Sequence, residues 1–330
     1  MDVDILALNA QIQKDSEFVG RVLDETSKVV VGQRDMLEAV ISGLLTGGHI
    51  LLEGVPGLAK TLTISTISKV VGLDFGRVQF TPDLMPSDLI GTMIFNQNTN
   101  DFMAKKGPIF TNIVLADEIN RAPAKVQSAL LEAMAEKQVT IGETTYKLDK
   151  PFLVLATQNP LDQDGTYPLP EAQMDRFMFK VLVDYPTKED EMKILETMSV
   201  GSLPELQTVV TKEEVLRARE MVEKIHVDPK VKNYIVELVM ATRSPSEYGL
   251  GHMENLISLG ASPRATLSLV KAAKANAFIQ SRGFVTVDDV KAIAHKVLRH
   301  RLILTYEAEA EELLSDNLVN EILENIEVPT

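Results

Sequence analysis

The chain contains no cysteine, which excludes disulfides, thiolate metal centres and cysteine nucleophiles together. It contains no apolar run near the roughly 18 residues that a membrane span requires. Its start, Met1-Asp2-Val3-Asp4, is acidic and lacks the basic and apolar regions of a secretory leader, so a cytoplasmic protein is expected. Basic charge is short as well: 33 Lys and Arg against 47 Asp and Glu give a net −14. A surface that is negative on average repels phosphate backbones, which disfavours non-specific nucleic-acid binding unless a local basic loop overrides the mean field. The five histidines, His49, His226, His252, His295 and His300, show no i, i+4 pair and no adjacent carboxylate motif, so they do not suggest a metal site.

What is present is ordinary for a soluble globular protein: 330 residues, 45% hydrophobic and 24% charged, enough for two domains at roughly 150 residues each. From Gln33 to about Tyr185, short apolar runs alternate with amphipathic stretches, the pattern of a parallel sheet covered by helices. The runs are His49–Glu53, Arg77–Phe80, Ile113–Asp117, Phe152–Gln158 and Phe177–Val183, and five strands are expected from them. Val126, Ala129, Leu130, Ala133 and Met134 recur at helical spacing and predict a helix packed on that sheet. Val139 to Leu148 reads as a hairpin whose Gly142-Glu143 turn pairs Ile141 with Thr144 and Val139 with Tyr146. Thr92–Gln97 and Asp101–Ala104, around Asn98-Thr99-Asn100, read as a second hairpin.

After Tyr185 the strand signals stop. Lys188–Met198, Lys212–Lys224, Pro229–Thr242, Pro263–Arg282 and Val287–Leu302 are expected as helices, with a long loop over Ser244–Gly260. Ser262 as N-cap with Pro263 at N1, and Thr286 as N-cap with Asp289 at N3, mark two helix starts. The expected domains are an N-terminal helical extension over 1–28, a sheet-bearing core over 29–186 and an all-helical domain over 187–330. From 307 to 327 the chain carries acidic residues and neither Lys nor Arg, which suits a solvated acidic helix.

Chemistry concentrates in a few places. Gly54-Val55-Pro56-Gly57-Leu58-Ala59-Lys60-Thr61 follows the first strand and opens into a helix beginning near Leu62, the context of a phosphate-binding loop. There backbone N–H groups cradle phosphates, Lys60 reaches the β- and γ-phosphates and Thr61 holds Mg²⁺. Ala59 stands where a second glycine is usual, which the loop tolerates if φ there is negative. The third strand ends in Asp117-Glu118, so Asp117 can hold the metal and Glu118 can orient and polarise an attacking water. Asn159, at the end of the fourth strand, can bind that water or the γ-phosphate, or cap a loop before Pro160. Arg264 lies in the first turn of a helix, a poor place for a cation, which suggests an outside anion as partner, though a surface ion pair is the ordinary explanation. Spacing alone does not separate Arg176 from a structural salt bridge.

The phosphate loop, Ala116-Asp117-Glu118-Ile119-Asn120-Arg121-Ala122, Ala156-Thr157-Gln158-Asn159-Pro160, Leu169-Pro170-Glu171-Ala172-Gln173-Met174-Asp175-Arg176-Phe177 and Gly260-Ala261-Ser262-Pro263-Arg264-Ala265 occur in the order found in the MoxR family of AAA+ ATPases, and the sequence resembles that family from about Val29 to His300. The resemblance implies a P-loop NTPase fold: an α/β domain with a five-stranded parallel sheet and a C-terminal all-helical lid. It implies that Lys60 and Thr61 belong to Walker A, Asp117 and Glu118 to Walker B, and that Asn159 is sensor 1. It makes Arg176 the arginine finger acting on a neighbouring subunit, Arg264 sensor 2, and Gln33, within Val31-Gly32-Gln33, part of the adenine border; Leu62 follows the loop in the same site. Arg121 becomes a candidate second inter-subunit arginine. ATP and Mg²⁺ are the implied cofactors, a hexameric ring the implied assembly, and protein clients with von Willebrand factor A domain proteins the implied partners, in the maturation of metalloenzymes or other complexes. The two hairpins resemble inserts that face the pore of such a ring.

Two rival readings belong to other classes. A nucleic-acid motor would also carry pore hairpins, but only Lys105-Lys106 makes the first insert basic, and Lys147 is offset by Glu143 in the second. A nucleotide switch that assembles without hydrolysis is opposed by the intact Asp117-Glu118 pair.

Overall fold

The structure, a computed structural model, describes residues 5–98, 100–160, 165–198 and 204–329. Helices α1 (Ile5–Ser27) and α2 (Arg34–Thr46) precede strand β1 (Ile50–Glu53); α3 (Lys60–Val70), β2 (Phe75–Gln79) and α4 (Pro86–Ile90) come next. The hairpin β3 (Gly91–Asn96) and β4 (Asp101–Lys106) leads to β5 (Ile113–Asp117) and α5 (Ala124–Glu136). The hairpin β6 (Gln138–Ile141) and β7 (Thr144–Lys147) leads to β8 (Leu153–Gln158), α6 (Glu171–Met174) and β9 (Phe179–Leu182). Then come α7 (Lys188–Met198), α8 (Lys212–Lys224), α9 (Pro229–Ala241), β10 (Ile257–Leu259), α10 (Pro263–Ile279), α11 (Val287–Leu298), β11 (Ile303–Leu304), α12 (Tyr306–Ala310) and α13 (Ser315–Asn325).

The five expected strands form one parallel sheet in the order β2-β5-β8-β1-β9. Ile50–Leu52, Ile113–Ala116 and Leu153–Thr157 are buried on both faces, which is why those runs are apolar without alternation. β2 lies at the edge and alternates, with Val78 buried and Arg77 and Gln79 exposed. The α5 stripe of Val126, Leu130, Ala133 and Met134 packs on Leu51, Val114, Ala116, Val154 and Ala156 of the sheet. Each valine, leucine or methionine among them contributes about 1.5–3 kcal/mol by leaving water, and each alanine less. In register, Glu53 stands opposite Gln158, Ala116 opposite Ala156 and Gln79 opposite Asp117, so four strands end nearly level at one edge.

Both hairpins form. In β6–β7 the pairs are Ile141 with Thr144 and Val139 with Tyr146, and Gly142 supplies the positive φ of 62° that the two-residue turn needs. In β3–β4 the register runs from Gly91 with Lys106 to Asn96 with Asp101; Thr99 of the expected turn lies outside the described residues.

The chain divides into two compact units, one of Met1–Glu17, Met178–Lys180 and Ala218–Thr330, the other of Phe18–Phe177 and Val181–Arg217. The boundary expected after 186 does not coincide with this division, since 187–217 groups with the sheet. In the other unit, α10 starts at Ser262, whose hydroxyl accepts from the Arg264 N–H at 3.1 Å, and α11 starts with the expected Thr286–Asp289 capping box. α10 ends at Ile279 rather than Arg282, because Ser281 takes φ 56° and the Arg282 N–H turns back to the Ala277 carbonyl. This unit is not wholly helical: β10 and β11 pair as a short antiparallel ribbon, and two 3₁₀ turns occupy the expected Ser244–Gly260 loop.

Candidate active site

The sheet order puts β8 between β1 and β5, so the loop leaving β1 and the acids ending β5 meet across the end of β8, where parallel sheets bind ligands. A cleft of about 450 Å³ opens there. Pro56 through Leu62 line one wall; Asp117, Glu118, Thr157 and Asn159 line the other, with Arg77 and Gln79 of β2.

The loop is shaped by close approach and by left-handed backbone. A Cβ on Gly54 would lie 2.5 Å from the Val183 carbonyl oxygen, so only glycine lets the loop leave β1 here. Gly57 has φ 89°, open to glycine and strained for other residues. Ala59 has φ 55°, so the expectation of a negative φ fails. The left-handed conformation costs an alanine roughly 1–2 kcal/mol, and it persists because Thr63 holds the Ala59 carbonyl twice, through its N–H at 2.9 Å and its hydroxyl at 3.0 Å. α3 then begins at Lys60, so N–H groups of its first turn point toward the cleft. Lys60 Nζ donates to the Gly54 carbonyl at 2.5 Å, folding the side chain across the loop. Burial lowers the pKa of this ammonium, against the opposing pull of Asp117, Glu118 and Glu53.

The two acids at the end of β5 are held differently. Asp117 Oδ1 accepts the Thr157 hydroxyl at 2.6 Å, while Oδ2 accepts Arg77 Nε at 3.0 Å and Nη2 at 2.7 Å. Glu118 has φ 56°, a second strained residue in the same cleft, and its N–H donates to Thr157 Oγ1 at 2.8 Å. Its Oε2 accepts Gln79 Nε2 at 2.9 Å and lies 3.0 Å from Arg121 Nε. Arg121, a candidate inter-subunit residue, is thus engaged with Glu118 of its own chain.

The Thr61 hydroxyl and the Asp117 carboxylate offer hard oxygen donors in one cleft, and Mg²⁺ is typically held by one or two protein oxygens with phosphate and water completing its shell. Two such protein oxygens fit an ion that arrives with a phosphate, which brings the rest of the shell.

Asn159, 7% exposed, comes just after β8 and lines the cleft. Among the described residues lining the cleft, Gly54, Val55 and Gln33 are missing: Gly54 acts through its carbonyl, and Gln33 stands just before α2, its carbonyl accepting from the Leu37 N–H. Arg176 is exposed after α6, one guanidinium nitrogen donating to the Leu131 carbonyl of α5 at 2.8 Å. Arg264 is exposed in the first turn of α10, in the other unit. Sequence reasoning missed Arg77, Gln79 and Thr157. The signal for the first two is the polar–apolar alternation of Arg77-Val78-Gln79-Phe80, which marks a one-sided strand and gives its polar side a task.

The model of the ATPase family associated with various cellular activities matches residues 49–179, and an AAA lid domain matches 252–323. The chaperone MoxR1 of Mycobacterium tuberculosis is 46% identical over 309 residues, covering 94% of this chain and 82% of that one. YeaC of Bacillus subtilis is 43% identical over 314 residues, covering 94% and 95%, and the MoxR protein of Paracoccus denitrificans is 30% identical over 320 residues, covering 91% and 93%. A crystal structure from Cytophaga hutchinsonii superposes with a TM-score of 0.92 at 51% identity, each chain covered to 98%. The phosphate loop, the paired acids and these likenesses over nearly the whole length make the chain a member of the MoxR family of AAA+ ATPases.

Proposed function

We propose that the protein hydrolyses ATP with Mg²⁺ and uses the cycle to remodel protein complexes. The observation that carries this reading is the single cleft in which Lys60 and Thr61, opening α3, face Asp117 and Glu118, ending β5. Lys60 and the first-turn N–H groups bind the phosphates, and Thr61 and Asp117 hold the metal. When bound, Mg²⁺ supplies charge neutralisation on the phosphate oxygens. Glu118 takes a proton from water as the water oxygen bonds to the γ-phosphorus and the bridging P–O bond to ADP breaks, releasing phosphate. Among the described residues its hydrogen-bond and ion-pair partners fall on Oε2, so Oε1 is the oxygen offered to water. Asn159 orients that water.

The assembly is a ring of six copies in the cytoplasm. Arg176 reaches the ATP of the neighbouring subunit and Arg264, within the lid match over 252–323, senses the γ-phosphate; Gln33 borders the adenine. Support for Arg176 is its exposure with one end anchored on α5. Support for a protein client rather than nucleic acid is the β3–β4 hairpin, which leaves Met93, Ile94, Phe95, Phe102 and Met103 between 38% and 62% exposed on a chain of net charge −14. Such apolar side chains suit unfolded or partly folded polypeptide. The chaperone naming of the mycobacterial relative agrees with this, and we place von Willebrand factor A domain proteins and metal-cofactor insertion among the partners and tasks.

Lys60→Ala should lose nucleotide binding. Arg176→Ala should keep it yet turn over ATP poorly, and mixing Arg176→Ala with Lys60→Ala should restore part of the rate. Verified mixed rings without recovery would contradict action in trans.

A further inference from the structure

The side chain that the ATPase reading leaves without a task is Arg77. Its Nε and Nη2 converge on one oxygen of Asp117, Oδ2, at 3.0 and 2.7 Å, and Nη2 also donates to Gln79 Oε1 at 2.8 Å. The other oxygen, Oδ1, is fixed: Thr157 donates its hydroxyl to it at 2.6 Å and uses the same Oγ1 to accept the Glu118 N–H. Thr157 is 1% exposed, so that bond is sheltered from water. The Arg77 and Asp117 side chains are 48% and 14% exposed, so of the two bonded oxygens only Oδ2 has an exchangeable partner.

We infer that Arg77 is a resident counter-cation for Asp117, which the divalent ion must displace when it arrives with the nucleotide. The inference rests on the ATPase reading and adds to it the control of metal dependence. An arginine never deprotonates and so never ligates a metal; facing a carboxylate that is to hold one, it is a competitor. Its place at the edge of the sheet explains how it serves both conditions. Without the ion it offsets the acids crowded around Lys60; with the ion it is free to swing out from β2 while keeping its stem. Arg77 is a positioning residue here, acting on the charge and availability of Asp117. The opposing reading, an arginine that itself grips the phosphates, predicts the reverse sign in the same experiment.

The test is equilibrium binding of a fluorescent ATP analogue to the full chain, first in EDTA and then across a MgCl₂ titration, for wild type, Arg77→Gln and Arg77→Lys. Complexation of Mg²⁺ by the nucleotide in solution is the same for all three, so the ratio of midpoints reports the protein. Arg77→Gln should reach half-maximal enhancement at about two- to five-fold less Mg²⁺ than wild type, the scale of losing one partly exposed ion pair, and Arg77→Lys should fall between. If Arg77→Gln melts below wild type without nucleotide, Arg77→Ala takes its place. A midpoint equal to or above that of wild type overturns the inference and leaves the ATPase reading intact. No nucleotide binding by wild type under any condition overturns both.

Discussion

Two arginine–aspartate pairs show how the same chemistry serves opposite ends. In the unit that contains α10 and α11, Asp289 is 1% exposed and accepts five hydrogen bonds: two from Arg282, two from Thr286 and one from Asn276. In the cleft, Asp117 accepts from Arg77 and Thr157, and its arginine is half exposed. Burial of Asp289 makes the first pair permanent, because that carboxylate without its arginine would be an uncompensated charge in a dry site. Solvent makes the second replaceable at small cost. Asp289 caps a helix and locks the α10–α11 corner; in the proposal above, Asp117 keeps an ion-binding oxygen occupied until the ion comes.

The widest gap between the pairs should appear in turnover. Asp117→Asn is expected to lower ATP turnover by about 100-fold or more while shifting stability by less than about 1 kcal/mol, read by steady-state kinetics beside urea unfolding. Asp289→Asn should do the converse and destabilise the protein by about 3 kcal/mol; unfolding midpoints that match wild type would erase the distinction. A smaller effect is its pH dependence. Burial alone pushes the Asp289 carboxyl up, but hydrogen bonds from Arg282, Thr286 and Asn276 together outweigh it and hold the pKa below the ordinary 3.8. The unfolded chain therefore takes up the proton first on acidification. The stabilisation is complete above that value and drains away as pH falls from about 3.8 through the lower folded value. Unfolding curves taken between neutral and strongly acid pH should steepen in wild type and flatten in Asp289→Asn; parallel curves would contradict the assignment. Smallest of all, Ala59→Gly should raise stability by about 1 kcal/mol by relieving the left-handed alanine, with nucleotide binding retained.

Much of this architecture is legible in the sequence because its signals are local. Val139 and Tyr146 pair because a glycine turn fixes their register, and Thr286 and Asp289 cap α11 because they stand three residues apart. Lys60-Thr61 is legible because a glycine-bearing loop carries it from a buried apolar strand into a helix, and Asp117-Glu118 because it closes another such strand. The clamp on those acids is not, since Arg77 and Thr157 each stand 40 residues from Asp117 and meet it only after β2 and β8 flank β5. The β10–β11 ribbon, three residues against two, is too short for periodicity to declare. The φ of Ala59 is hidden for another reason: alanine carries no signal of left-handed backbone, and Thr63, which enforces it, reads as an ordinary helical residue.

The central claim is that the cleft between α3 and β5 hydrolyses ATP through Glu118. The direct measurement is ATP turnover by wild type and Glu118→Gln in the same buffer, together with the fraction of nucleotide each retains as ATP. The account predicts Mg²⁺-dependent turnover in wild type, a rate lower by about 100-fold or more in Glu118→Gln, and ATP held intact in the variant. Equal rates in the two proteins would contradict it.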